Sequence, residues 1–147
     1  MSAVRARLGS GRWHFQHGPI DLIIGVEGQA GAVDAALAAA WRRFEQVLAE
    51  LVSELALLRA PVAGRCPLRG PIACRMWQAC APFAPAFITP MAAVAGGVAQ
   101  EMLGCLAREG IRRAWVNNGG DIALHLTPGE RLTLAICADP RVPAPAG

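Results

Sequence analysis

Residues Trp115–Leu126, written WVNNGGDIALHL, constrain the fold more than any other stretch of the chain. Strand-like apolar runs, Arg113–Val116 and Ile122–Leu126, flank the polar corner Asn117-Asn118-Gly119-Gly120-Asp121. As plain structure, Asn-Gly between two strands is the strongest short hairpin signal available. Asn and Gly at such a corner accept the positive φ angles of a tight hairpin. The corner also has a functional reading. Gly119 and Gly120 leave their backbone N–H groups unobstructed, and Asp121 could grip a ribose or ribityl hydroxyl or help hold a metal. A two-residue hairpin does not need two asparagines, two glycines and an aspartate together.

The remaining elements follow from periodicity. Arg12–Gln16 alternates, with Trp13 and Phe15 on one face, and Asp21–Val26 reads as a second, more buried strand. His17-Gly18-Pro19 between them predicts an antiparallel pair. Leu37, Trp41, Phe44, Leu48, Leu51 and Leu55 recur at spacings of three and four, which predicts a helix over Asp34–Arg59, started at or just before Asp34 and stopped by Pro61. A loop over Ala60–Gly70 and a short helix over Pro71–Ala81 come next. Thr89-Pro90 then marks a strong helix start, with the Thr89 side chain placed to accept first-turn N–H bonds and Pro90 losing nothing at the first position. Val94, Val98, Met102 and Leu106 form the buried stripe of this helix, which is expected to run to Glu109 and stop at a left-handed Gly110, with Ile111 folding back onto Leu106. Pro128-Gly129 turns the chain, and Leu132, Leu134 and Ile136 alternate as a last strand. These elements predict an α+β domain: a mainly antiparallel or mixed sheet with two main helices packed on it.

Composition narrows the function. A chain of 147 residues with a modest net charge of +3 makes one domain with a real core. Its basic residues are all arginine. Without a lysine there is neither a Schiff base nor a Walker-type phosphate loop. The arginines are scattered and aromatic residues are few, so no nucleic-acid partner is expected. Met1–Leu8 is not followed by the apolar core of a secretory signal. The most apolar long window, Phe87–Ala107, carries Gln100 and Glu101 and is mostly Ala, Gly and Val, so no membrane span is expected either. These features predict a cytoplasmic protein with reduced cysteines. A homo-oligomer is compatible with them.

The helix from Thr89 has an odd face. Ala92, Ala93, Ala95, Gly96, Gly97 and Ala99 are all small, and a mid-helix glycine costs roughly 1 kcal/mol relative to alanine. Such a face implies close approach, by a neighbouring element or by a ligand. The helix start also offers free N–H groups and the positive dipole end, a seat for phosphate. Arg75, between Cys74 and Met76, reads either as a phosphate partner or as an exposed helix arginine. The residues expected to bind a nucleotide are therefore Arg75, Thr89, Pro90, Ala95, Gly96, Asn117, Asn118, Gly119, Gly120 and Asp121. No catalytic residue and no metal ligand is assigned.

Gly96 in its small-residue helix, then Glu109-Gly110-Ile111, a strand, and Gly119-Gly120-Asp121 together resemble the core signature of the ApbE-type flavin transferases. Phe87–Gly96, FITPMAAVAG, and Asn117–Ile122, NNGGDI, are similar to an uncharacterised bacterial and archaeal branch of ApbE-like proteins. The resemblance is specific from Arg75 to Leu126. It implies an ApbE-like fold and a flavin nucleotide, FAD or FMN, as the small-molecule partner. Enzymes of this type cleave FAD with Mg²⁺ and attach FMN to a protein Thr or Ser. They usually carry a lysine where this chain has Ala95 and an aspartate near Gln100, and their metal-binding Asp/Thr motif lies in a C-terminal half. The chain is accordingly expected to be a single ApbE-like domain over residues 1–147 that is the N-terminal part of a longer protein, with Mg²⁺ only where the remainder supplies its ligands.

Two other readings stay open. The chain could be a non-catalytic interaction or scaffold domain that retains the fold without the site. Cys66, Cys74 and Cys80 raise an iron–sulfur site, although their spacing matches neither a CxxC pair nor a ferredoxin run. His14, His17 and His125 are isolated in sequence, and no catalytic pairing is suggested by position.

Overall fold

The structure, a computed structural model, describes residues 1–135. Three strands open the chain: β1 (Val4–Arg7), β2 (Trp13–His17) and β3 (Ile20–Gly28). Helices α1 (Ala30–Ser53), α2 (Leu55–Leu58), α3 (Pro71–Cys80) and α4 (Val94–Leu106) follow, and β4 (Ile111–Asn118) and β5 (Asp121–Leu126) close the described part. The sheet has the order β1-β2-β3-β4-β5 and is antiparallel throughout. The α+β expectation holds, and the mixed alternative does not arise among the described residues.

One face of the sheet carries the core. Phe15, Leu22, Ile24, Ala114 and Val116 project toward the helices and are almost fully buried. Against them pack Ala36, Ala40, Phe44, Val47 and Leu51 of α1, and Val98, Ala99, Met102 and Leu106 of α4. The buried stripe of α1 is thus rotated from the expected one: Leu37, Trp41 and Leu48 sit half-buried beside it. The two alanines that begin it, Ala36 and Ala40, fit the rotation, since a helix approaches a sheet most closely through its smallest side chains. Phe15 meets Trp41 edge-on, with ring centroids 5.1 Å apart, which seals the flank of this core.

Several boundaries differ from expectation. The strand Val4–Arg7 was not anticipated; all four residues are exposed, and it pairs with β2 from Val4↔Gln16 to Arg7↔Trp13. Helix α1 begins at Ala30 with no side-chain cap, so Asp34 lies inside it and is exposed. It breaks at Glu54, whose carboxylate accepts the N–H groups of Arg69 and Gly70 at 2.8 and 3.0 Å and so anchors the start of α3. Thr89 does not cap with its side chain. A 3₁₀ turn over Pro90–Ala93 intervenes, closed by the Ala92 N–H on the Thr89 carbonyl, and α4 proper starts at Val94.

Helix α4 ends at Leu106 instead of Glu109. Gly110 is left-handed, as expected, but in a separate turn in which the Ile111 N–H bonds the Arg108 carbonyl. The expected last strand does not form over Leu132 and Leu134, and Ile136 lies outside the described residues. A ladder needs free backbone groups facing a partner. Here the Arg131 carbonyl is taken by the Arg113 guanidinium, and Thr127 ties the preceding turn to the Arg112 carbonyl. No helix among the described residues is long and apolar enough to cross a membrane.

Candidate functional site

The corner between β4 and β5 is a two-residue hairpin. Asn118 pairs with Asp121, leaving Gly119 and Gly120 at the tip with φ of 62° and 103°. Both values lie in the left-handed region, where most side chains are strained, so these positions favour glycine. The two asparagines have structural partners. Asn117 Oδ1 accepts the Gly120 N–H at 2.9 Å and braces the tip. Asn118 Nδ2 donates to the Ala95 carbonyl at 3.2 Å and fastens the hairpin to the first turn of α4.

That bond sets the spacing between α4 and β5. Below it, the small face of the helix splits in two. A β-carbon on Gly97 would lie 3.0 Å from Met76 Cγ, so Gly97 is where α3 packs on α4. A β-carbon on Gly96 would meet nothing within 4 Å. Gly96 opens instead onto a groove of about 320 Å³ lined by Ala99, Gln100 and Leu103 on the helix side and by Asp121, Ile122, Ala123 and Leu124 on the strand side. Positions 96, 99, 100 and 103 follow one helical face, since residues three and four apart are neighbours.

The groove is lined almost evenly by polar and apolar surface. Its polar groups are the Gln100 amide and the Asp121 carboxylate, which is its one charge. Such a lining suits a flat, uncharged surface with a hydroxyl near the carboxylate, and it disfavours a phosphate close to Asp121. A cation held between Asp121 and a dianion would reverse that preference. Among the described residues, however, no three His, Cys, Asp or Glu side chains group so as to hold a metal ion. That also leaves the iron–sulfur reading without a cluster there.

Of the residues expected to bind a nucleotide, the groove wall brings together Gly96 and Asp121. Ala95 and Asn118 form its upper seam, with Asn117, Gly119 and Gly120 at the hairpin tip beside it. Thr89 and Pro90 precede the helix, with Pro90 buried. Arg75 lies elsewhere: its Nη1 is 3.8 Å from Glu101 Oε1, in a cluster where Arg43 also bonds Glu50 at 2.6 Å and Glu101 at 3.1 Å. Burial opposes the Arg43 charge, but the two carboxylates outweigh it and raise its pKa. Arg75 therefore faces Glu101 between α3 and α4, with its buried Nη1 making no hydrogen bond. Ala99 was marked only as part of the small helix face, and Leu103, Ile122, Ala123 and Leu124 were not assigned to a site from sequence. The i, i+3, i+4, i+7 spacing from Gly96 is the signal that finds the helix half of them.

A protein-family model described as AbpE bacteria matches residues 5–146 of the chain. No curated protein and no solved structure matches it.

Proposed function

The chain belongs to the AbpE bacteria family, and from that premise we propose that it binds a flavin or related nucleotide in the groove between α4 and β5, as a relative of the ApbE-type flavin transferases. The observation that carries the reading is the open Gly96 wall facing Asp121. A helix glycine is destabilising where nothing approaches it, and a planar ring lying against a bare backbone would account for its use there. Asp121 would accept a ribityl or ribose hydroxyl, and Gln100 would pair with a ring edge. FMN transfer is the reaction the family likeness suggests. Ala95 stands where such enzymes usually carry a lysine, and they usually place an aspartate near Gln100, so the proposal is one of binding.

The test is thermal unfolding of the chain with FAD, FMN and ADP. A ligand that binds only the folded state raises the melting temperature, by about 2.7 kcal/mol of stabilisation at a hundredfold excess over its Kd. Gly96→Leu, which fills the groove, should abolish the shift. Unchanged melting curves with all three ligands would overturn the reading.

A second reading, a non-catalytic interaction domain, is favoured by one observation: Asn117 and Asn118 both have structural partners, so the corner is explained without a ligand. It predicts that Asp121→Ala alters neither nucleotide binding nor cellular function.

A further inference from the structure

Cys66 stands in the loop before α3 and Cys74 in the second turn of that helix, and both thiols point at one atom. Cys66 Sγ donates to the Leu68 carbonyl at 3.9 Å and Cys74 Sγ donates to the same oxygen at 3.2 Å. The loop is held in place around them. Leu68 is buried, the Val62 N–H bonds the Ile88 carbonyl at 2.8 Å, and the Glu54 carboxylate grips the Arg69 and Gly70 N–H groups. The other described cysteines point elsewhere: Cys80 Sγ toward the Thr89 carbonyl and Cys105 Sγ toward the Glu101 carbonyl. Cys66 and Cys74 are both only partly buried, at the edge of the core.

We propose that Cys66 and Cys74 are a reversible redox pair that closes into an intramolecular disulfide by exchange with a low-molecular-weight disulfide such as oxidised glutathione. Both thiols are free in the resting structure. Burial, and then Cys66 beside it, push the Cys74 thiol up; Cys66, in the loop outside the helix, makes the first attack. The Cys66 thiolate attacks one glutathione sulfur, the glutathione S–S bond breaks, and one glutathione thiolate leaves. Cys74 then gives its proton to solvent and attacks the Cys66 sulfur. The mixed disulfide breaks and the second glutathione leaves. Two protein thiols lose two electrons and two protons, and one glutathione disulfide becomes two thiols. The product ties the loop covalently to α3, the helix whose Met76 packs on Gly97.

The experiment incubates the chain with oxidised glutathione, blocks remaining thiols with N-ethylmaleimide, and digests with trypsin without reductant. Cleavage after Arg65, Arg69 and Arg75 puts Cys66 and Cys74 on separate peptides, Cys66–Arg69 and Gly70–Arg75. The expected result is one joined species that reductant splits into these two, with loss of maleimide label from both. Cys74→Ser should instead accumulate glutathione on Cys66. Separate labelled or separately glutathionylated peptides from the unmodified sequence would overturn the proposal. So would either cysteine joined to Cys80, Cys105 or Cys137.

Discussion

The indole of Trp115 occupies the space a side chain on Gly25 would need. The two residues are register partners on β3 and β4, and a β-carbon on Gly25 would fall 1.9 Å from Trp115 Cζ2. Gly25→Ala should destabilise by about 1–3 kcal/mol, the usual range for overpacking. Trp115→Ala in the same chain should recover part of that loss. Chemical denaturation of both single variants and the double variant measures the coupling, and simple additivity would show that the ring moves aside freely.

The two adjacent helix glycines should respond differently to added volume. Gly96→Ala places a methyl in open space and should stabilise by about 0.5–1 kcal/mol, the ordinary glycine penalty recovered. Gly97→Ala must push on Met76 and should gain less, or lose. Urea midpoints of the two variants decide it, and an equal gain at both sites would contradict the packing of α3 on Gly97.

Asn118→Ala removes the bond that joins the hairpin to the Ala95 carbonyl. A loss of about 1 kcal/mol is expected. If the groove binds a nucleotide, the same variant should weaken the ligand-induced rise in melting temperature more than its own stability loss explains. Thermal scans with and without FAD give both quantities.

Glu27 and Arg113 form an ion pair on the sheet face away from the helices. The Arg113 hydrogen bond holds the Glu27 carboxyl below the usual carboxylate range, with burial opposing it. A carboxylate lowered in the folded state stabilises fully above its unfolded pKa, and that contribution is lost as pH falls through the folded value. Glu27→Gln should therefore be less stable than the unmodified chain at neutral pH, and the gap should close as pH falls through the acid range, so the unmodified chain loses stability more steeply there. A gap that stays the same from neutral pH down to strong acid would assign the effect to something other than titration.

The hairpin, its partner strands and the two main helices were legible because each writes its period into neighbouring residues. Strand β1 was not, because Val4–Arg7 is exposed on both sides and has no buried alternation to read. The shift of the α1 stripe onto Ala36 and Ala40 was hidden for the same kind of reason: alanine is uninformative in a hydrophobicity pattern, yet it decides how near two elements come. In the candidate site, Gly96 and the corner stood out by their residue types. Leu103 and Leu124 carried no such signal. Arg75 looked free because its partner, Glu101, is distant in sequence and is brought near only by the packing of α3 on α4. The structure gives both corner asparagines a bonding role that the residue count alone had credited to function.

The order of the strands has a further consequence for how the chain assembles. Every pairing in the sheet is between successive strands, but the connections within β1–β3 and within β4–β5 are short, while the β3–β4 seam joins residues such as Glu27 and Arg113 that are 86 positions apart. Closing so long a loop is an entropic charge on the folding rate, although each doubling of its length adds only about 0.6 kcal/mol to equilibrium stability. The α4–β5 groove is built from a short contiguous stretch on one side of the seam. Lesions at Gly25 or Trp115 should thus register first in refolding rates, with the local contacts of the groove still intact.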